Sequence, residues 1–396
     1  MPPHTAMNSL ALQAPGPVPA IAPAGAPSAG SLRALDWQVF EAPNARAAWD
    51  ALAQHAVEPN PFFESWYLLP ALRALDPRRE VQLLRLNHEG QLAGLMPLVR
   101  ERRYYRWPVP HMRNWVHANC FLGAPLVARG SEHAFWQSLF AWCDREPGPA
   151  QFLHIGALPL EGLLHAALVD VLTLQQREAG TVFRENRAML ASGHSPDAYL
   201  EAALSGKKRK ELRRQHARLS ELGDLRVNRR TDASGLRRWC DDFLALEASG
   251  WKGAAGSALA SHQATQTLFG DALAGAADRG KLERLSLTLD GQPIAMLASL
   301  LTPPGAYSFK TAFDERYSRF SPGVLLQREN LAVLERADIA WTDSCAAADH
   351  PMIDHLWSER RAVGRISIAI GGPLRRRAFR LLLKAELRRN PVGLKP

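Results

Sequence analysis

Hydrophobic and polar positions follow two different periods along this chain. After residue 31, segments with apolar residues every three or four positions alternate with short runs that are continuously or alternately apolar. The first pattern is typical of amphipathic helices and the second of strands. This alternation predicts an α+β (mixed α/β) fold, and 396 residues are enough for two domains of ordinary size.

Two hairpins with the same pattern lie half a chain apart. Leu83–Val99 and Leu285–Leu301 each read as a strand, an acidic residue with glycine, and a second strand. Glu-Gly and Asp-Gly between apolar runs predict tight hairpins, because glycine adopts positive φ without a steric penalty. Gly90 and Gly291 are 201 positions apart. The repeat predicts a duplicated domain.

Composition divides the chain into four segments. Residues 1–31 are rich in Ala, Pro and Gly, which predicts a disordered leader; a signal peptide is not favoured because a basic start is lacking. We expect an N-terminal domain over 32–195, a C-terminal domain over 196–372 and a basic amphipathic tail over 373–396. No apolar run is long enough for a transmembrane helix. Four scattered cysteines favour a reducing compartment.

The second hairpin is followed by a strand, a loop and a helix. The loop, Arg316–Gly323, precedes a helix in which Ser321 suits the N-cap and Pro322 the first position. A helix N-terminus presents unpaired N–H groups and attracts phosphate. Gly323 would let a ligand approach the backbone, and Arg316 and Arg319 would add contacts. The alternative is a capped helix with two solvated arginines. A core strand then ends at Asp343.

The net charge of +9 is concentrated in two clusters. Lys207–Arg218 carries +6 and Arg375–Lys395 carries +7, so the rest of the chain carries −4. Inferences about anionic partners therefore concern these clusters. The first is a solvated helix face, a docking site for donor phosphate or carrier protein, or an RNA contact. The second is a peripheral membrane contact through Arg375–Arg389 or a helix packed on the second domain.

An ordered set of motifs in the second half resembles a known family. The motifs are Glu247…Trp251-Lys252-Gly253, Lys310…Phe313-Asp314, Ser321-Pro322-Gly323-Val324-Leu325-Leu326 and Asp343. Together they resemble the CelD-like branch of the GNAT acyltransferases, which is associated with cellulose and exopolysaccharide biosynthesis and is related to FemAB-type transferases. The resemblance covers about residues 196–345, and the first half is consistent with a degenerate copy.

The resemblance implies tandem GNAT-like domains, each a mixed, mostly antiparallel sheet flanked by helices. It implies an N-acyltransferase that moves an acyl group, acetyl first, from acetyl-CoA or another acyl-CoA to an amine or hydroxyl of a small molecule or saccharide. The loop departs from the family pattern, since Gly323 is its only glycine and Pro322 removes a donor, so acyl carrier protein stays open as the donor. No metal is expected.

The resemblance also assigns roles to individual residues. The candidate bases or acceptor-binding acids are Glu247, Asp314 and Asp343. The candidate donor-binding residues are Arg316, Arg319, Ser321, Gly323 and Lys310. Trp251 and Lys252 are the candidate acceptor-binding residues. The alternatives are surface or capping carboxylates, solvated lysines and a core tryptophan.

Two other functions stay open. A FemAB-like transferase would take its donor from aminoacyl-tRNA, the one nucleic acid we expect as a partner. A non-catalytic accessory protein of polysaccharide synthesis would tolerate Asp314→Asn and Glu247→Gln but not loss of the tail. We expect a cytoplasmic protein, peripheral to the inner face of the membrane if the tail binds lipid.

Overall fold

The computed structural model describes residues 31–350 and 352–389. Residues 1–30 of the predicted leader lie outside this range. Ser31 does not belong to a leader, because it pairs with Asn87 as the first residue of a strand. The first half contains, in chain order, β1 (Ser31–Asp36), α1 (Pro43–Gln54), α2 (Ser65–Leu75), β2 (Gln82–His88), β3 (Gln91–Glu101), β4 (His111–Asn114), β5 (Leu126–Val127), α3 (Glu132–Arg145), β6 (Phe152–Pro159), α4 (Leu163–Leu174) and β7 (Ala179–Leu190).

The second half repeats much of this order. It contains α5 (Pro196–Ala203), α6 (Gly206–Ser220), β8 (Leu225–Arg230), α7 (Leu236–Ser249), α8 (Trp251–Ala254), α9 (Gln263–Ala277), β9 (Leu282–Leu289), β10 (Gln292–Thr302), β11 (Gly305–Phe313), α10 (Pro322–Asn330), β12 (Trp341–Asp343), β13 (Glu359–Ala369) and α11 (Pro373–Arg389). Short 3-10 helices lie at Trp37–Glu41, Pro61–Phe63, Leu259–Ser261, Glu315–Phe320 and Leu331–Glu335.

The strands form one continuous sheet with a near-symmetric order. The order is β1-β2-β3-β4-β6-β13-β7-β12-β11-β10-β9-β8, and β5 pairs with β3. The pairs β4/β6 and β11/β12 are parallel, and the other strand pairs are antiparallel. Each half thus has an antiparallel run that ends in one parallel pair. The predicted tandem fold with mixed, mostly antiparallel sheets and flanking helices is confirmed.

Both predicted hairpins are present, and their turns have the same geometry. The Glu89-Gly90 turn has φ of 51° and 79°, and the Asp290-Gly291 turn has φ of 50° and 77°. Two successive positive φ values match the right-handed twist of the flanking strands, as in a type I′ turn. The glycine relieves the second position of steric strain.

The two halves exchange equivalent strands. β13, which lies in the second half of the chain, inserts between β6 and β7, while β7 pairs with β12. The hydrogen-bonded sheet is therefore not interrupted at the predicted boundary between residues 195 and 196. Helices α2 and α9, one from each half, also pack together. The largest hydrophobic cluster consequently contains residues of both halves, among them Phe62, Tyr67, Phe269 and Phe309.

Serine side chains cap the first two helices of the second half. Ser195 caps α5 through its side chain. That helix ends at Ala203, and the basic segment forms a separate helix, α6, with Ser205 as its cap. The buried face of α10 includes Leu325 and Leu326. Within the described part of the chain, no helix is long and apolar enough to cross a membrane.

Candidate functional site

The parallel strands β11 and β12 separate after three residue pairs. Tyr307 and Asp343 form the last pair, and the chain then turns away at Cys345, whose φ is +53°. β11 continues for six residues to Phe313, paired with β10 on one side only. Backbone groups on its other side are therefore left without a sheet partner. The gap opens into a cavity of about 350 Å³, which we call the C-terminal cavity.

A β-bulge shapes β11 at this point. Lys310 pairs with Ala298 and Ser308 pairs with Ser299, so that Phe309 is an extra residue on β11. A bulge changes the direction of neighbouring side chains and is common beside binding sites. Here the Phe309 ring packs in the core, and both Phe309 and Lys310 line the C-terminal cavity.

Lys310 is a half-buried cation held among aromatic rings. Its Nζ lies 5.0 Å from the centroid of the Phe121 ring and 5.7 Å from that of Phe309. Burial, followed by repulsion from Lys252, lowers the pKa of Lys310 to about 8, while Glu247 opposes the shift. Lys310 therefore places an ammonium group, which loses its proton near pH 8, at the point where β11 and β12 separate.

Glu247 and Lys252 form one wall of the C-terminal cavity. Glu247 is buried, and its carboxylate accepts hydrogen bonds from Lys252 Nζ and from the backbone N–H of Leu259, both at 2.8 Å. Each carboxylate oxygen thus already has a donor. Glu247 fixes the lysine and the chain after α8 in place.

Trp251 and His350 line the same cavity. The Trp251 side chain is 61% exposed, so its predicted alternative place in the core is wrong. Burial, followed by repulsion from Lys252, lowers the pKa of His350. Its imidazole is therefore neutral at pH 7, and its buried Nδ1 has no hydrogen-bond partner among the described residues.

Asp314 caps the short helix over Glu315–Phe320 and does not line the C-terminal cavity. Its carboxylate accepts from the backbone N–H of Arg316 at 2.9 Å and pairs with the Arg316 guanidinium at 2.6 Å. The side-chain hydrogen bond from Arg316 is the main reason that the pKa of Asp314 is lowered. The Asp314 carboxylate therefore neutralises much of the positive charge of Arg316.

The N-terminus of α10 differs from the sequence prediction. Ser321 occupies the N-cap position with φ of +52°, but its side chain makes no capping bond. Its carbonyl oxygen instead accepts from the N–H groups of Val324 and Leu325, at 2.9 and 3.0 Å. Since Pro322 has no N–H, Gly323 provides the remaining first-turn donor.

Gly323 is packed against protein rather than left open to a ligand. A Cβ built at this position would lie 2.5 Å from Met352 Sδ and 3.2 Å from the Phe313 ring. Met352 therefore occupies the space beside Gly323 through which a ligand was predicted to approach the backbone.

Gly323→Ala is expected to lower the free energy of unfolding by about 1 kcal/mol, because Met352 must move aside. In a Met352→Ala background the same change is expected to cost little, and urea unfolding of the four proteins measures this coupling. Gly206→Ala is the matched control, since nothing lies within 4 Å of that position. Equal losses in both backgrounds would contradict the packing explanation.

Arg319 faces the basic helix α6. Its guanidinium lies 4.6 Å from the Phe320 ring centroid, and it lines a cavity of about 320 Å³ together with Arg214 and Arg218. The short helix over Glu315–Phe320 packs on α6. The first basic cluster therefore lies beside the predicted phosphate-binding loop.

Asp343 is fully buried beneath the C-terminal cavity. Its carboxylate lies 3.4 Å from Arg187 and 3.6 Å from Arg361, and it accepts the N–H of Cys345 at 2.8 Å. Glu185 pairs with Arg187 at 2.9 Å, and Arg361 also pairs with Glu58. Asp343 therefore belongs to an ion-pair network that joins the two halves.

The equivalent gap in the first half is filled by the chain itself. β4 and β6 separate after Arg113 and His154. The Asn114 amide then bridges the gap, since its Nδ2 donates to the carbonyls of Gly123 and Gly156 at 2.8 and 2.9 Å. Gly123 is packed so tightly there that an added Cβ would clash with Gly156 and Asn114.

Beside this filled gap lies a larger polar cavity of about 490 Å³, the N-terminal cavity. Arg113, Arg187 and Arg365 line it with Glu101 and Glu185. Phe121 lines both cavities, and its carbonyl accepts from Arg187 at 2.7 Å. The two cavities are thus neighbours across one aromatic residue.

The candidate residues are distributed unequally around these features. The C-terminal cavity brings together Glu247, Trp251, Lys252 and Lys310, whereas Asp314, Asp343, Arg316, Arg319, Ser321 and Gly323 do not line it. Phe121, the bulged Phe309 and His350 line the cavity but were not among the predicted site residues. A loop residue of the other half has no local signal, although the Phe309-Lys310 pair lay within the recognised strand.

Part of the second half is similar to a known family. Residues 206–351 match the family described as an acetyltransferase (GNAT) domain. This range contains the motifs that line the C-terminal cavity, and it confirms the GNAT resemblance. The CelD-like branch stays a prediction. No curated protein matches the chain.

Two solved structures share the fold of most of this chain at low sequence identity. FemX is 9% identical, with a TM-score of 0.54 over 83% of this chain and 97% of that chain. A conserved protein of unknown function from Bacteroides thetaiotaomicron VPI-5482 is 10% identical, with a TM-score of 0.55 over 82% and 97%. A tandem GNAT protein from the clavulanic acid biosynthesis pathway is 14% identical, with a TM-score of 0.42 over 87% and 99%.

Proposed function

We propose that this protein is an N-acyltransferase that binds an acyl thioester, acetyl-CoA first, in the C-terminal cavity and transfers the acyl group to an amine. The observation that carries the proposal is the contrast between the two gaps. The gap between β11 and β12 is open and holds a cation, whereas the gap between β4 and β6 is closed by Asn114 and Gly123. A single donor site per chain follows.

The free side of β11 suits an extended donor. Beyond Tyr307 the strand has a sheet partner on one side only, so the amide groups of a pantetheine arm can pair with its backbone as an added strand would. The GNAT domain supports an acyl-CoA donor in general terms. The positive charge of α6 and Arg319 next to the loop favours a donor that carries phosphate.

Lys310 is placed to stabilise negative charge in the reaction. The acceptor nitrogen attacks the thioester carbonyl, a C–N bond forms, and the carbonyl oxygen becomes an oxyanion. The C–S bond then breaks, the thiolate leaves, and the amine proton passes to a base. A cation at the separation of the strands, partly withdrawn from water, favours that oxyanion.

The proton-accepting group is assigned from the lining of the cavity. Of the three carboxylates predicted as bases, Glu247 alone lines it, and both of its oxygens are occupied. We therefore assign Glu247 to holding Lys252, and Asp314 and Asp343 to capping and ion pairing. His350 lines the cavity and is neutral at pH 7, so its imidazole can accept the amine proton.

The acceptor is assigned to the N-terminal cavity. This cavity shares Phe121 with the C-terminal cavity, which places an acceptor bound there one side chain away from the cavity that holds Lys310. Its lining of arginines, carboxylates and aromatic rings suits a polar acceptor such as a saccharide amine. A role in polysaccharide or cell-envelope synthesis is consistent with such an acceptor.

Thiol release tests the proposed function. The full chain is incubated with acetyl-CoA or longer acyl-CoAs and a panel of amino sugars and amines, and free CoA is measured with a thiol reagent. Acceptor-dependent release together with an acylated product in mass spectra is expected. Absence of product with every donor and acceptor would contradict acyl-CoA transfer.

A pH profile tests the charge of Lys310. Because its pKa is about 8, the ammonium form is present below this pH and is lost as pH rises through it. We expect kcat/KM to fall as pH is raised above about 8. Lys310→Arg stays charged over this range, so its profile is expected to lack this decrease. A rise in kcat/KM through pH 8 that Lys310→Arg abolishes would instead indicate that Lys310 acts as a base.

A second candidate function is transfer from aminoacyl-tRNA. The observation that favours it is the exposed cationic face of α6, with Lys207, Lys208 and Lys210, beside the loop that ends at Gly323. Filter binding of charged tRNA is the test. An RNA donor is expected to bind with steep salt dependence that Lys207→Gln/Lys208→Gln/Lys210→Gln reduces.

A further inference from the structure

The loop 102–108 and the outward face of α11 form one exposed surface, which we call the α11 surface. The inward face of α11 buries Phe379 and Leu383 in a small core with Phe152 and Val182. The helix is therefore packed on the fold, but Phe152 and Val182 belong to the first half and not to the second domain on which one alternative places the tail. Its opposite face is left in solvent.

The outward face of α11 combines leucines with cations. Leu374 is 85% exposed and Leu381 is 66% exposed, although leucine is usually buried. Arg377, Lys384 and Arg388 are also exposed. These five residues follow one another at intervals of three or four positions, which places them on a single stripe of the helix.

The loop adds aromatic residues to the same surface. Tyr105 is 63% exposed and Trp107 is 49% exposed, and both lie among the exposed cations Arg102, Arg103 and Arg106. The loop is joined to the helix because Tyr104 Oη donates to Glu386 at 2.6 Å. Between loop and helix lies a mostly apolar groove of about 650 Å³, lined by Trp107, Val109 and Leu382 among others.

The charge of the surface has one sign. Glu386 is the only acidic residue in segments 102–108 and 373–389. Its carboxylate is half-buried and accepts the Tyr104 hydrogen bond, and burial raises its pKa. The charges that face solvent on this surface are therefore positive.

We propose that the α11 surface docks on an anionic lipid bilayer. Arginine and lysine side chains can reach lipid phosphates while the leucines between them enter the acyl region, and tyrosine and tryptophan favour the interface. A nucleic acid or an acidic protein would pair the cations but would leave Leu374 and Leu381 without apolar contacts. The combination of charge and apolar exposure thus favours lipid.

Docking of the α11 surface on a bilayer would fix the orientation of the N-terminal cavity relative to that bilayer. Tyr104 and Tyr105 belong both to the α11 surface and to the wall of that cavity. A bilayer bound to the α11 surface would therefore lie beside the mouth of the cavity. The position of the cavity beside the bilayer rests on the proposed function only in so far as that function assigns the acceptor to the N-terminal cavity. Lipid binding by the α11 surface does not depend on the proposed function.

Vesicle flotation of the full chain tests the proposal. The probes are vesicles of phosphatidylcholine alone and with about a third of phosphatidylglycerol, at physiological salt. We expect binding to the anionic vesicles to exceed binding to the neutral ones at least tenfold. Arg377→Gln/Lys384→Gln/Arg388→Gln is expected to weaken anionic binding about a hundredfold, since each cation near such a surface contributes a factor of about five.

Two further variants separate lipid from other anionic partners. Lys207→Gln/Lys208→Gln/Lys210→Gln removes the same charge from α6, and its binding is expected to stay within about twofold of wild type. Leu374→Ser/Leu381→Ser keeps the charge and is expected to bind about tenfold more weakly. Failure of wild type to float, equal loss in the α6 variant, or wild-type binding by the leucine variant would each overturn the proposal.

Discussion

Lys310→Met is expected to reduce kcat/KM for acyl transfer by at least about a hundredfold, the usual effect of removing one group that stabilises an oxyanion. Methionine has a similar length and fits beside Phe121 and Phe309, so the substitution removes charge without opening a void. Steady-state kinetics with saturating donor and varied acceptor measure the loss.

Stability measurements separate this effect from misfolding. The pKa of Lys310 is lowered from about 10.5 to about 8, so the folded protein disfavours the ammonium form. Between these pH values the unfolded chain binds more protons, and stability from this group increases with pH. At pH 7, below both values, Lys310→Met is therefore expected to unfold at the same or a higher temperature than wild type. Lys384→Met, at an exposed position, is the control that should keep full activity in the absence of lipid. An active Lys310→Met enzyme would contradict the role assigned to the cation.

Asp343→Asn is expected to lower the free energy of unfolding by about 3 kcal/mol, the lower end of the cost of breaking a buried ion pair. The substitution leaves Arg187 and Arg361 buried with Glu185 and Glu58 as their remaining partners. This network joins both halves of the sheet, so the substitution is expected to destabilise the whole fold. Urea unfolding followed by circular dichroism measures the change in the free energy of unfolding.

Asp338→Asn provides the matched comparison for Asp343→Asn. Asp338 also pairs with an arginine, Arg336, at 2.9 Å, but the Asp338 side chain is exposed and that of Arg336 is only half-buried. Exposed pairs contribute little, so the change is expected to cost no more than about 1 kcal/mol. Similar losses in the two variants would show that the Asp343 network is not a stabilising junction.

Local features of the fold were predictable because their signals are local. The hairpins at Gly90 and Gly291 follow from residues that tolerate positive φ between apolar runs. The exchange of β7 and β13 was not predictable in this way. A strand carries no mark of its partner, and β13 pairs with residues 170 or more positions earlier in the chain. Pairing at such separation depends on the packing of the whole molecule.

The sequence was enough to predict where the candidate site lies, but not the role of each residue in it. Glu247, Trp251, Lys252 and Lys310 lie around one cavity because the end of α7, the short helix α8 and the free side of β11 meet there. The sequence does not show that Arg316 neutralises Asp314, or that Asp343 lies between two guanidinium groups. A carboxylate's partners decide whether it can act as a base, and in both cases those partners are set by geometry.

The closure of the first gap had no sequence signal either. Asn114 is the last residue of β4 and Gly123 lies in a loop. Neither residue has a local sequence feature that predicts its contact with the other or with Gly156. This closure leads us to propose the second half as the donor-binding half, and it explains why a repeated hairpin does not imply two sites.

Calorimetric titration with acyl donors tests the central claim most directly. The full chain is titrated with acetyl-CoA, longer acyl-CoAs and acylated carrier protein, alongside Ala347→Trp, which fills the C-terminal cavity, and Ala157→Trp, which fills the N-terminal one. We predict one donor molecule bound per chain, lost in Ala347→Trp and retained in Ala157→Trp. No binding of any donor, or loss of binding in Ala157→Trp alone, would contradict a donor site between β11 and β12.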